Sequence, residues 1–195
     1  SLTNPPGDEA YPIASFTCAD ARRLDHADES ADAILLLGPL YHLIEREDRV
    51  IALREAQRVL RPGGVLCAAI ISRFASALDG LSHGFLHDPA FAAIVKNDLR
   101  DGQHRNPTGN LMFFTEAYFH RPEELAEEIS QAALQHEITL AIEGPGWLLQ
   151  DFEYWWADET RRARLLEIIR WMENESSLSG ASAHLMGIAH KKIES

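Results

Sequence analysis

Apolar positions follow two different periods along this chain, and their order predicts an α/β protein. The runs IASFTC (13–18), ADAILLL (31–37) and VLCAAII (65–71) have the length and composition of buried β-strands. Between the last two, from Glu47 to Leu60, apolar residues recur at three- and four-residue steps, which predicts an amphipathic helix. We expect Pro62-Gly63-Gly64 to end that helix in a turn. A strand, helix and strand in this order form a βαβ unit with parallel strands and a right-handed crossover.

The stretch from Arg73 to Tyr118 interrupts this alternation. It contains a helical segment near Pro89 to Arg100, followed by a loop with glycine, asparagine and proline from Gly102 to Asn110. An insertion of this size over the carboxyl edge of a sheet is typical of a lid. We therefore treat 73–118 as a lid or substrate-binding insertion within a single domain, 1–195.

The regular pattern resumes after the insertion. It predicts a helix from Pro122 to Leu134, a strand from Glu137 to Ile142, a helix from Glu159 to Glu173 and a last strand in HLMGIAH (184–190). The direction of that last strand does not follow from its sequence.

Composition narrows the possible partners and compartments. The net charge of −12 would repel a nucleic-acid backbone. No apolar run approaches the roughly 20 residues of a membrane-spanning helix, and no signal pattern opens the chain, so we expect a soluble, cytoplasmic protein that binds no membrane. The two cysteines, Cys18 and Cys67, and the nine histidines show neither a disulfide framework nor a metal-ligand spacing.

Three segments in order resemble class I S-adenosylmethionine-dependent methyltransferases: CADARRL, DAILLLGPLYHL and RVLRPGGVL. Later segments, FFTEAYFHRPEELAEEI, EGPGWLL and SAHLMGIAHK, are similar to a bacterial small-molecule subgroup of that family, of the ubiquinone-menaquinone type. The resemblance runs from about Phe16 to Lys191. It implies a Rossmann-like sheet with helices on both faces and S-adenosylmethionine as the cofactor.

The resemblance also implies the cofactor-binding residues. Asp20 would accept a hydrogen bond from the adenine amino group, and the backbone N–H of Ala21 would bond to a ring nitrogen, with Arg22 beside them in the same site. Alternatively, Asp20 only closes a loop. Asp32, at the start of the next strand, has a structural role by the same resemblance.

In this family the strand that corresponds to ADAILLL ends at the transferred methyl group. The reaction centre would then hold Leu37, Gly38, Pro39, Tyr41 and His42. Tyr41 and His42 could pack on the cofactor, shape the substrate pocket or act as a base, so both are catalytic candidates. His42 could equally be a structural residue in the first turn of a helix.

Three residues outside this strand are candidates for the substrate pocket: Arg73, Tyr118 and Trp147. No sequence pattern identifies the methyl acceptor, because acceptor choice in the family depends on the lid and on the loop around Gly144 to Trp147.

The glycine-rich loop of the family is missing from the sequence, and so are its first two strands. We therefore expect a fragment truncated at the N-terminus, which binds the cofactor weakly by itself. In the family sheet the missing strands lie between IASFTC and ADAILLL. The exposed strand edges should then pair with another copy of the chain, giving a homo-oligomer such as a dimer.

The sequence thus predicts methyl transfer from S-adenosylmethionine to a small-molecule acceptor. One alternative is a non-catalytic ligand-binding or interaction domain that retains the fold. Another is a Rossmann-type oxidoreductase with Tyr41 as proton donor, which the presence of Glu45 instead of lysine four residues later disfavours.

Overall fold

A computed structural model describes residues 13–193 as a mixed sheet with flanking helices. The strands are β1 (Ala31–Leu37), β2 (Leu60–Ser72), β3 (Gln103–His104), β4 (Ala117–His120), β5 (Leu134–Ala141) and β6 (His184–Lys191). The helices are α1 (Pro39–His42), α2 (Arg46–Val59), α3 (Ala75–His83), α4 (Pro89–Asp101), α5 (Pro122–Gln131), α6 (Phe152–Trp156) and α7 (Glu159–Met172). Short 3₁₀ turns cover Phe85–His87, Leu111–Phe113, Gly144–Leu148 and Ser176–Ala181.

Strand β2 is the centre of the sheet. It pairs in parallel with β1 and antiparallel with β6, and β5 continues the sheet antiparallel to β6. The short β4 adds in parallel to the carboxyl end of β2 at Ile71 and Ser72, and carries β3 at its far side. The predicted α/β class and the parallel βαβ unit are confirmed, and the last strand runs antiparallel.

The main core lies between one face of the sheet and helices α2 and α5. Alternate residues of β2 and β6 point into it, while the residues between them, such as Cys67 and Met186, are only half-buried. Gly187 of β6 lies under α5, where an added Cβ would come within 2.7 Å of Leu125 Cδ2 and 3.1 Å of Ile129 Cδ1. A side chain here would push α5 off the sheet, so the glycine sets the distance between helix and sheet.

Two local predictions from the sequence were wrong. The helix that we expected to stop at Pro62-Gly63-Gly64 ends at Val59, and those three residues lie inside β2. Strand pairing explains the difference, because Leu60 already pairs with Ala31 and Val65 with Ala33 across the irregular register. Residues 61–64 therefore have no partner in β1 and bulge out between the paired residues, with Gly63 at φ +80°, so the strand continues past a local turn at the glycines.

The run IASFTC does not form the strand that its composition predicts. Residues 13–19 are exposed and without regular structure, and only Asp20 makes a bridge, with Arg23. A strand exists only when a neighbour supplies hydrogen-bond partners, and no described strand lies beside this run.

A buried ion pair joins the two core helices. Both side chains are about 1% exposed: Arg49 of α2 donates two hydrogen bonds to Glu128 Oε1 of α5, at 3.0 and 2.8 Å. Its remaining terminal nitrogen donates to the carbonyls of Leu43 and Ile44 at 2.9 and 2.7 Å. The guanidinium also stacks 3.7 Å above the ring of Tyr118. Every side of this cation is therefore matched by an acceptor or an aromatic face.

Removing only the cation should leave Glu128 as an uncompensated buried charge. We expect Arg49→Met to lower the free energy of unfolding by about 3–5 kcal/mol, and the double variant Arg49→Met with Glu128→Leu to recover most of that loss. Urea unfolding followed by circular dichroism measures both. Arg164→Met, at the exposed pair with Glu167, is the control and should cost no more than about 1 kcal/mol. A double variant as unstable as the single one would contradict this account.

Candidate functional site

Two cavities open at the carboxyl edge of β1 and β2. The first has a volume of about 570 Å³. It lies between the segment around Asp20 and the end of β1, and it is lined by Ala19, Asp20, Ala21, Leu24, Ile34, Leu35, Leu36, Pro39, His42 and Leu43. Four of the seven predicted cofactor residues thus line one cavity: Asp20, Ala21, Pro39 and His42.

Asp20 presents a carboxylate at this cavity. Its Oδ1 accepts from the backbone N–H of Arg22 at 2.9 Å, and its Oδ2 accepts from Arg22 Nη2 at 2.6 Å. These hydrogen bonds from Arg22 lower the pKa of Asp20 to about 2, so the carboxylate is ionised at neutral pH. A carboxylate offers about four lone-pair positions, and acceptor capacity remains for an exocyclic amino group.

Ala21 and Gly38 complete the fit to an adenosyl cofactor. The backbone N–H of Ala21 makes no hydrogen bond to any residue from 13 to 193, and its small side chain packs on the main core. Gly38 has φ +144°, and an added Cβ would lie 3.5 Å from the hydroxyl of Tyr41. A donor, an acceptor and a glycine at the end of β1 are the groups that the cofactor needs on this side.

Arg22 and Leu37 lie outside the lining of that cavity. Arg22 bridges Asp20 and Asp48, the latter at 3.0 Å in the first turn of α2, so it holds Asp20 in place. Leu37 is the last residue of β1, where it pairs with Ala69 of β2, and its side chain is 56% exposed. Gly38, which follows it, also lies outside the lining of that cavity.

The second cavity has a volume of about 470 Å³ and lies under the insertion. Its lining is mostly apolar and aromatic, and consists of Tyr41, Ile71, Ala75, Ser76, Asp79, Phe91, His104, Leu111, Met112, Phe113, Phe114, Phe119, Ala183 and His184. Most of these residues belong to the segment 73–118 that the sequence analysis singled out as a lid.

Tyr41 and His42 stand between the two cavities. Their ring centroids are 4.8 Å apart, yet Tyr41 lines the cavity under the insertion and His42 lines the cavity beside Asp20. The catalytic candidates therefore mark the boundary across which two bound molecules would meet.

The three predicted substrate residues do not line either cavity. Arg73 is 3% exposed and its guanidinium contacts Glu124 at 2.7 Å and the carbonyl of Phe119 at 2.7 Å. Tyr118 lies between Arg73 and the stacked guanidinium of Arg49. These contacts support the base of the insertion.

Trp147 also supports the second cavity without lining it. Its indole Nε1–H donates to the carbonyl of Ala181 at 2.7 Å. That bond holds the segment just before β6. Ala183 and His184, which follow this segment, line the second cavity.

A buried polar cluster inside the insertion escaped the sequence analysis. His104 Nδ1 lies 2.8 Å from Asp98 Oδ2, which also accepts from the hydroxyl of Ser76 at 2.6 Å. His104 Nε2 lies 2.8 Å from the carbonyl of Phe113, so both ring nitrogens are engaged. Asp98 Oδ1 is buried without a partner among the described residues. No motif signals this cluster, because its members are distant along the chain.

A second missed pair stands at the rim of the same cavity. The imidazole of His184 lies with Nδ1 2.5 Å from Glu143 Oε1, and the backbone N–H of His184 donates to Glu143 Oε2 at 2.9 Å. The buried hydroxyl of Ser182 lies 2.8 Å from the same Oε2. Although burial alone would raise the pKa of Glu143, these hydrogen bonds lower it to about 2. The carboxylate in turn raises the pKa of His184.

Residues 13–193 contain neither a metal-binding cluster nor a membrane-spanning helix. No group of three or more His, Cys, Asp or Glu side chains is placed to hold a metal ion in this part of the chain. Its helices are all too short or too polar to cross a bilayer.

Comparison with known proteins finds methyltransferases among the similar sequences and structures. Residues 4–68 match the family model of a methyltransferase domain. Over 57 residues, or 29% of this chain, the sequence is 44% identical to Methyltransferase GfsG of Streptomyces halstedii, and the match spans only 19% of that relative. A solved S-adenosylmethionine-dependent methyltransferase of Methanosarcina mazei superposes with a TM-score of 0.57 at 19% identity, over 98% of this chain and 74% of that one. At 19% identity, the similarity to the Methanosarcina mazei protein shows a shared fold alone.

The pair formed by Glu143 and His184 predicts a pH dependence of stability. The raised pKa of His184 stabilises the fold below pH 6.5, and this contribution is lost as the pH rises through the folded value. The lowered pKa of Glu143 stabilises it above pH 4.5, and that contribution is lost as the pH falls towards about 2. Glu143→Gln should therefore lower the melting temperature most between pH 4.5 and 6.5, by about 2 °C for a half-exposed pair.

Differential scanning calorimetry from pH 3 to pH 9 measures this difference. Glu137→Gln is the matched control, because it breaks a His–Glu pair with His190 on the exposed surface. A deficit of Glu143→Gln that stays constant over the whole pH range would contradict the assignment.

Proposed function

We propose that this chain belongs to a class I S-adenosylmethionine-dependent methyltransferase and that the protein methylates a small-molecule acceptor. The match of residues 4–68 to a methyltransferase domain and the shared fold support this proposal. When bound, S-adenosylmethionine supplies an electrophilic methyl group on a sulfonium. The observation that carries the proposal is that the neighbouring residues Tyr41 and His42, with ring centroids 4.8 Å apart, each line a different cavity. A protein that holds two reactants side by side lowers the barrier mainly by positioning and by excluding water.

Cofactor binding is assigned to the cavity beside Asp20. Asp20 and Ala21 would hold the adenine, Arg22 would keep Asp20 oriented, and Leu37, Gly38 and Pro39 would border the methionine end. His42 would contact the cofactor, while Tyr41 would contact the acceptor. The position of the two rings on opposite sides of one boundary supports this division.

The second cavity supports a small acceptor in preference to a macromolecule. Its volume of about 470 Å³ suits a molecule of modest size, and its lining is largely apolar. The net charge of −12 disfavours a polyanionic acceptor such as a nucleic acid. Arg73, Tyr118 and Trp147 would act on the acceptor site indirectly, through the insertion and the start of β6. A cytoplasmic location stays a prediction from sequence.

Calorimetric titration of S-adenosylhomocysteine into the intact protein tests the cofactor assignment. We expect Asp20→Ala to weaken binding at least tenfold, about 1.4 kcal/mol, because the acceptor for the adenine amino group is lost. Asp32→Ala is the matched control, since Asp32 also pairs with an arginine, Arg61, at 2.7 Å but lies outside both cavities. Absence of binding by the intact protein, or equal losses in both variants, would reject the assignment. Binding without methyl transfer to any acceptor would favour the interaction-domain alternative.

We further propose that the protein forms a homo-oligomer through the edge of β1. Among residues 13–193 this strand pairs only with β2, and its side chains Leu35 and Leu37 are 66% and 56% exposed. Unpaired backbone groups beside exposed leucines favour association with a second strand edge.

Sedimentation velocity of this chain, residues 1–195, tests this association. We expect a dimer for the wild type and a shift towards monomer for the double variant Leu35→Lys and Leu37→Lys, because charged side chains oppose burial of the edge. Leu111→Lys, at a residue 92% exposed in the insertion, should leave the dimer unchanged. A wild-type protein that stays monomeric at high concentration would overturn the proposal.

A further inference from the structure

The imidazole of His184 stands at the cavity under the insertion with one nitrogen unused. His184 is the first residue of β6 and pairs with Ile71, near the carboxyl end of β2, and both residues line this cavity. Its side chain is 51% exposed, so the ring is accessible to a small molecule. No hydrogen bond from any described residue reaches Nε2, whereas Nδ1 is bonded to Glu143.

Glu143 fixes the state of that imidazole. The carboxylate is held by three donors: the backbone N–H of His184, its Nδ1–H and the hydroxyl of Ser182. These bonds keep the pKa of Glu143 at about 2, so at neutral pH it can only accept hydrogen bonds. The Nδ1 of His184 must therefore carry a proton. In the neutral imidazole the lone pair then sits on Nε2, which is the arrangement of a general base oriented by a carboxylate.

His104 and His42 are less suited than His184 to act as a base on a molecule in the cavity under the insertion. Both nitrogens of His104 are engaged, one by Asp98 and one by the carbonyl of Phe113. His42 lines the cavity on the side of Asp20 and is absent from the lining under the insertion. His184 is thus the histidine whose unbonded nitrogen and position both suit a molecule in the acceptor cavity.

The lining selects the kind of molecule. Four phenylalanines surround the cavity, which favours a flat ring through stacking and edge contacts: Phe91, Phe113, Phe114 and Phe119. Asp79 is the carboxylate in this lining, and it is paired with His83 at 2.9 Å. The lining contains no lysine or arginine. A neutral aromatic molecule fits these surroundings better than an anion does.

We propose that the cavity binds a phenolic acceptor and that His184 accepts the proton of its hydroxyl, with Glu143 as the positioning residue. The inference rests on the proposed function and specifies its acceptor. The O–H bond of the phenol breaks, its electron pair stays on oxygen, and an N–H bond forms at Nε2 of His184. The resulting imidazolium is balanced by Glu143 and by the phenolate. Asp79, His104 and Tyr41, from α3, β3 and α1, also face this cavity.

Binding of 4-nitrophenol to the full chain without cofactor tests the proton transfer directly, because the phenolate absorbs visible light and the phenol does not. At a pH where the free compound is mostly protonated, we expect the wild type to bind it and to increase its phenolate fraction. His184→Gln should lower the apparent acid dissociation constant of the bound compound at least about tenfold, since glutamine offers no imidazolium to pair with the phenolate. Glu143→Gln should give an intermediate loss.

His190→Gln is the matched control. His190 lies on the same strand and pairs with Glu137 at 2.7 Å, but it does not line the cavity. We expect it to behave as the wild type. Ala75→Trp should fill the cavity and abolish binding, which shows that the compound occupies this site. Circular dichroism verifies that each variant is folded.

The titration of the His184 ring protons by nuclear magnetic resonance provides a second readout. We expect the pKa of His184 to fall in Glu143→Gln, because the carboxylate that raises it is gone. Failure of 4-nitrophenol to bind, or an unchanged phenolate fraction in His184→Gln, would overturn the inference. Such a result leaves the proposed function standing if S-adenosylhomocysteine still binds to the intact protein, so the two failures are distinguishable.

Discussion

The buried contact between Arg49 and Glu128 sets the relative position of the two core helices. It joins α2 to α5, and through the carbonyls of Leu43 and Ile44 it also holds the chain that leaves α1. Helix α1 contains Tyr41 and His42. By binding the chain just after α1, the Arg49 guanidinium fixes the position of these two residues between the cavities. Desolvation of both charges is costly, and the bidentate geometry and the Tyr118 ring offset that cost. The pair therefore fixes one relative position of α2 and α5 more than it adds to the free energy of unfolding.

The apolar pattern predicted those elements whose stability depends on local sequence and burial. Strand β1 and helices α2, α4 and α7 begin within one residue of the expected positions. The errors occurred where pairing between distant segments decided the outcome. Pairing of Leu60 and Val65 with β1 continues the strand on both sides of the Pro-Gly-Gly segment, which remains as a bulge. At residues 13–19 a β-prone run has no described strand beside it.

The same distinction applies to the candidate site. Asp20, Ala21, Pro39 and His42 were predicted because two short segments resemble a known family, and the structure brings the four residues to one cavity. His184 and Glu143 carried no signal, since the contact joins residues 41 positions apart through the pairing of β5 with β6. The arginine and aromatic residues Arg73, Tyr118 and Trp147 suggested a pocket by residue type, but their contacts are to other protein groups. Residue type alone does not distinguish a pocket wall from its support.

The insertion is stiff at its base and apolar at its tip, and this combination suits a cover for an apolar ligand. His104 fixes the carbonyl of Phe113, and Phe91 and Phe113 form a cluster separate from the main core. Beyond that anchor Leu111 and Met112 line the cavity while 92% and 67% exposed. Removing apolar surface from water is favourable by about 25 cal/mol per Å². An apolar ligand that covers Leu111 and Met112 therefore gains binding free energy from burying them. Because the base is already ordered, little further ordering opposes that gain.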